Sequence, residues 1–167
     1  SYDSAFAGLN ARMPEFNALM GLYSLDALEE AARQRNEAAA AYHEVLGMLP
    51  GIGFQKVHPE DRNSYKDFSI TVDEKRFGLS RDALAAALAA ENIDTRKYYD
   101  PPVHRQIAYR HLFNGQSLAS TDWLANNSLS LPIWSGMATD IPVRIGNAFR
   151  RLQLNAPAVQ KIVSQDG

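Results

Sequence analysis

Along the first half of the chain, apolar residues recur at helical steps. Phe16, Leu19, Met20 and Leu22 follow Pro14, whose fixed φ suits a first helical turn, and predict a helix ending near Ser24. Leu25, Leu28, Ala32, Arg35, Ala39, Tyr42, Leu46 and Leu49 then alternate steps of three and four, which draws one stripe along a longer helix. Pro50-Gly51 stops it. Arg35 interrupts the stripe, as a snorkelling side chain or one member of a buried ion pair.

The period then changes. Gly51 to Asn63 reads as a loop, and residues 65–72 alternate Phe68, Ile70 and Val72 against polar neighbours, the mark of a half-buried strand. A turn from Asp73 to Gly78 leads to Ser80, which caps a helix over 81–91 with Asp82 in its first turn and Leu79 and Leu84 at staple positions. Asn92 ends that helix in the left-handed conformation. Residues 93–99 predict a second strand broken by Pro101-Pro102, and 103–116 a loop rich in His, Arg and Tyr. A short helix over 121–127, a third strand from Ser128 to Trp134 and a helix from Ile141 to Leu152 follow, before a polar tail expected to fray. The expected fold is α+β: about three antiparallel strands with flanking helices, preceded by a helical arm whose apolar stripe needs a partner.

Length and composition narrow the chemistry. The 167 residues suffice for one ordinary domain, or a small domain plus an arm. A net charge of −2 gives no general pull toward nucleic acid or an anionic membrane. No apolar run reaches membrane-spanning length, and the absence of cysteine excludes disulfides and thiolate catalysis, as suits a reducing cytoplasm. His43, His58, His104 and His111 lack the spacing of a metal pair, so no metal is expected. No G-x-S-x-G elbow, P-loop or dinucleotide fingerprint is present.

Two segments carry candidate chemistry. In Gly8-Leu9-Asn10-Ala11-Arg12-Met13, a glycine, an amide and a guanidinium precede a helix start. This either presents donors to an anion or is a plain loop with Arg12 in a structural ion pair. In residues 96–105, Arg96, Lys97, Tyr98, Tyr99, His104 and Arg105 surround a rigid Pro-Pro turn. The segment lines a pocket for a phosphorylated, hydroxyl-rich ligand, or it is a surface strand with an ordered loop.

Taken in order, the motifs resemble those of the DegT/StrS-type, pyridoxal-phosphate-dependent sugar aminotransferases. Gly8 to Met13 is similar to the family's G-x-N-x-R-M, and Arg35, Ala39 and Tyr42 to its R-x-x-x-A-x-x-Y helix. Residues 63–68, 79–84, 93–96 with Tyr99, Pro102 and His104, and 129–137 resemble its small-domain signatures. The resemblance implies the C-terminal lobe of a fold-type-I aminotransferase. Residues 1–24 then end the large cofactor-binding domain, 25–50 form a connecting helix, 51–152 the small domain and 153–167 a tail. It implies a homodimer in which Asn10 reaches across to the cofactor phosphate, with Arg12, Tyr99 and His104 toward a nucleotide-sugar substrate, and with a separate amino donor. Lys56, Lys66, Lys75, Lys97 and Lys161 do not match the family's Schiff-base lysine motif. The chain alone is therefore expected to be inactive, its catalytic lysine lying in an N-terminal cofactor domain. The other reading is a stand-alone, non-catalytic module kept for dimerisation or ligand binding.

Overall fold

Antiparallel pairing organises the small sheet. In the computed structural model, which describes residues 11–163, strands β1 (Ile52–Phe54), β2 (Phe68–Val72) and β3 (Ser128–Leu131) lie in the order β1-β2-β3. Ile52 faces Val72 and Phe54 faces Ile70 on one side of β2; Phe68 faces Leu131 and Ile70 faces Leu129 on the other. The period of two puts Phe68, Ile70 and Val72 in the core. Ser69 and Ser130, opposite one another, share a 2.7 Å hydroxyl contact. The α+β class with a three-stranded antiparallel sheet is as expected, but one strand is not. β1 comes from the segment read as a loop, while residues 93–99 form only a single bridge, Arg96 to Ser130. Left-handed Asn92 turns the chain, and the Ile93 amide closes back on the Leu88 carbonyl, so an extended run cannot begin until further along.

Helices α1 (Glu15–Asp26) and α2 (Leu28–Leu46) form the arm. They meet at Ala27, where the sequence reading placed a continuous stripe from Leu25. The stripe divides. Tyr42, Leu46 and Leu49 are buried with the sheet, each worth about 1.5–3 kcal/mol, whereas Leu25 and Leu28 stay exposed. α1 buries nothing among the described residues, leaving Phe16, Leu19, Met20, Leu22 and Tyr23 in solvent. Arg35 makes no ion pair among the described residues: half-buried, it donates from Nε to the Ser64 carbonyl at 2.7 Å and from Nη1 to the Ser135 hydroxyl at 2.9 Å.

The remaining helices close the core. α3 (Glu74–Phe77) is one turn, capped by the Asp73 carboxylate, within the stretch read as a turn. α4 (Arg81–Ala90) starts at Ser80, whose hydroxyl accepts from the Ala83 amide at 3.1 Å, with Leu79 and Leu84 fully buried as staple positions require. α5 (Arg110–Phe113) and α6 (Ala119–Asn127) lead back to β3. α7 (Ile141–Leu154) packs on α2, where Gly146 lets Val45 approach, and buries Ile145, Phe149 and Leu152. Much of the tail expected to fray is helical: Ala156–Val163 form α8, which packs on α4 and α7 with Ala156 buried, and residues 164–167 lie outside the described residues.

Candidate functional site

The segment after α4 is held as a loop by a single buried guanidinium. Arg81 occupies the first position of α4, the end at which the helix dipole disfavours a cation, so its charge must be met elsewhere. Nη1 donates to the Ala125 carbonyl at 3.0 Å and the Ser128 carbonyl at 3.3 Å. Nη2 pairs with Asp100 Oδ2 at 2.6 Å and Nε with Asp82 Oδ1 at 2.8 Å. One side chain thus ties α4, the end of α6 and the 98–102 loop together. Lys97 also pairs with Asp82. Burial pushes the Asp82 carboxyl up, but the hydrogen bond from Lys97 and the charges of Arg81 and Lys97 outweigh it and hold the group below the usual carboxylate range.

Downstream, the bridge of Arg96 to Ser130 and the Ser128 hydroxyl on the Tyr98 carbonyl fasten the loop to the edge of β3. Tyr98 and Tyr99 project from it with their rings 5.0 Å apart, and Tyr99 is 66% exposed. Pro102 starts a 3₁₀ turn over Val103–Arg105. Inside it His104 is buried, its Nε2 at 2.9 Å from Asp122 Oδ1 and its ring edge-on to Phe113. Arg105 Nε lies 2.8 Å from the same oxygen, and the Ser117 hydroxyl donates to Oδ2 at 2.9 Å. Burial raises the Asp122 carboxyl, yet Ser117, Arg105 and the nearby His104 together hold it below its ordinary value.

Of the four residues singled out from sequence, Tyr99 and His104 share this fastened loop. Arg12 is exposed just before α1, without an ion pair or side-chain hydrogen bond among the described residues. Asn10 lies outside the described residues. Sequence reasoning missed Arg81 and Asp122 as organisers. A cation at a helix start was the available signal for Arg81; nothing local marks Asp122, which meets its partners only through the fold. Among the described residues, no group of three His, Asp or Glu side chains is placed to hold a metal ion.

The sequence model of the DegT/DnrJ/EryC1/StrS aminotransferases matches residues 1–150. The chain belongs to this family. Solved DegT/DnrJ/EryC1/StrS structures share its fold. DesI, crystallised in the presence of its TDP-sugar product, is 33% identical with a TM-score of 0.79, over 95% of this chain and 40% of that one. DesV of S. venezuelae, in complex with a ketimine intermediate, is 28% identical with a TM-score of 0.77, over 91% of this chain and 40% of that one. A DegT/DnrJ/EryC1/StrS aminotransferase from Brucella abortus is 27% identical, with a TM-score of 0.75 over 92% and 39%. The chain therefore spans about 40% of the length of the solved structures it matches. Aminotransferases of this family depend on pyridoxal phosphate.

Proposed function

We propose that this chain is the C-terminal part of a pyridoxal-phosphate-dependent aminotransferase that transfers an amino group to a keto-sugar nucleotide in amino-sugar biosynthesis. The observation that carries this is the 33% identity to DesI across nearly the whole chain. The fastened loop bearing Tyr99 and His104 supports it. In this reading, residues 1–24 end the cofactor domain, 25–50 connect the two lobes, 51–152 form the small domain and 153–167 its tail. The polypeptide is a cytoplasmic homodimer; no described helix is long and apolar enough to cross a membrane.

The residue types at the start of the chain suit an anion: the Asn10 amide would donate across the dimer to the cofactor phosphate, and Arg12 adds a guanidinium with no ion pair among the described residues. Pyridoxal phosphate, when bound, supplies the electron sink for moving the amino group. The chain's own residues hold the substrate. The exposed Tyr99 hydroxyl and the cation of Arg12 meet its hydroxyls and phosphates. His104, oriented by Asp122, completes the wall. The Schiff-base lysine lies in the cofactor domain, and the chain alone is inactive.

Separate measurement of the two half-reactions of the intact polypeptide tests this. Tyr99→Phe and His104→Ala raise KM for the keto-sugar about three- to tenfold and leave the half-reaction with the amino donor nearly unchanged. Equal damage to both halves sinks the substrate assignment. A natural polypeptide without a cofactor domain, shown by intact mass, replaces it with the reading of a non-catalytic dimerisation or ligand-binding module.

A further inference from the structure

Beside the 3₁₀ turn lies a cleft of about 290 Å³, lined by His104, Arg105, Arg110, Gly115, Gln116 and Ser117. No carboxylate is among these lining residues. Asp122, buried behind them, lies at ion-pair distance from His104 and Arg105 through Oδ1, neither contact having hydrogen-bond geometry, and its Oδ2 accepts from Ser117. This fixes the guanidinium of Arg105 by its Nε, while Nη1 and Nη2 have no acceptor among the described residues. Arg110, on the first turn of α5, has no ion pair or side-chain hydrogen bond there at all. The cleft therefore gathers two cations with open donors, one of them pre-oriented from behind, around a space that fits a tetrahedral oxyanion. The planar fork of arginine suits phosphate oxygens two at a time.

We propose that this cleft is a binding site for a phosphate-class dianion, held by Arg105 and Arg110, with Asp122 as the positioning residue for Arg105. The proposal stands on the cleft's own donors, and its nucleotide arm rests on the substrate reading of Tyr99 and His104. The dianion is either the diphosphate of a nucleotide substrate or free inorganic phosphate, since both present the same oxygens.

Titration of the intact, cofactor-loaded polypeptide with inorganic phosphate and with pyrophosphate, at constant ionic strength in chloride, reads the site. Saturable binding is expected, weakened about tenfold by Arg105→Gln and by Arg110→Gln. Arg110→Gln is the control against misfolding, because that side chain has no partner to lose. Arg105→Lys restores the charge without the fork and recovers only part of the affinity. Absence of saturable binding, or unchanged affinity in the Arg105→Gln, Arg110→Gln double variant, overturns the proposal. A nucleoside diphosphate that displaces inorganic phosphate assigns the site to the substrate's diphosphate. Phosphate that stays bound beside the nucleoside diphosphate assigns it to free phosphate. Phosphate binding that survives while Tyr99→Phe leaves KM unchanged would strike down the substrate reading alone.

Discussion

The Tyr42 hydroxyl donates to the Pro132 carbonyl at 2.8 Å, joining the long helix to the end of the last strand across 90 residues of sequence. Tyr42 is fully buried, and its ring stacks on Phe68 with centroids 4.9 Å apart. Tyr42→Phe keeps the ring and its packing but takes the donor from a half-buried carbonyl. The expected loss is about 0.5–1.5 kcal/mol, read as a lower urea midpoint with an unchanged slope. A midpoint equal to that of the parent chain would mean that the carbonyl finds another donor.

Gly146 is required by the crossing of α2 and α7. A methyl built there lies 2.6 Å from Val45 Cγ2 and 2.7 Å from its Cβ, too near the backbone for a rotamer change to relieve. Helix propensity favours Gly146→Ala by about 1 kcal/mol, but overpacking costs about 1–3 kcal/mol, so a net destabilisation is expected. Val45→Ala in the same chain restores part of it, and thermal unfolding of the double-mutant cycle measures the coupling.

Asp122 makes stability fall in acid. Its folded carboxyl lies below the ordinary aspartate value of 3.8, so its contribution is full above that value and disappears as pH falls through the folded one. The facing groups are His104, Arg105 and Ser117. Asp122→Asn should be less stable than the parent at neutral pH, with a gap that closes below the ordinary value. A gap independent of pH, followed by denaturant unfolding, would assign the residue's role to packing.

The apolar side chains of α1 await a neighbour. Leu19 and Tyr23 are 63% and 74% exposed, on a helix that buries nothing. Aspartate at both positions should change the unfolding free energy of the chain by no more than about 0.5 kcal/mol. In sedimentation experiments the same change weakens association of the intact polypeptide. A dimer of unaltered strength places the subunit contact elsewhere.

Elements with strong local signals were legible before the fold was known. Ser80 announced α4, Asn92 its left-handed end, and the alternation of Phe68, Ile70 and Val72 the central strand. The misses have physical causes. β1 is three residues long at the sheet edge, too short for a period to register, and Gly53 interrupts it. Residues 93–99 have strand composition, but Asn92 and the Arg81–Asp100 pair spend that backbone on a loop. Ala156, Val159 and Val163 carried the helical spacing of α8 inside a tail read by its polarity. In the candidate site, Tyr99 and His104 stood out by type, whereas the carboxylate that organises His104 sits beyond an intervening loop and helix and has no local signature.

The unequal burial of the two ends of α2 gives that helix the mechanics of a lever. Its 19 residues make a rod about 28 Å long, held by Tyr42 and Leu46 in the core, by Arg35 on Ser64 and Ser135 at mid-length and by Arg62 on Glu29 beside the exposed Leu28. Turning that rod by about 10° moves one end by about 5 Å relative to the other. Whatever seats α1 therefore dictates the angle at which the sheet, and the tyrosine loop fastened to its edge, is presented.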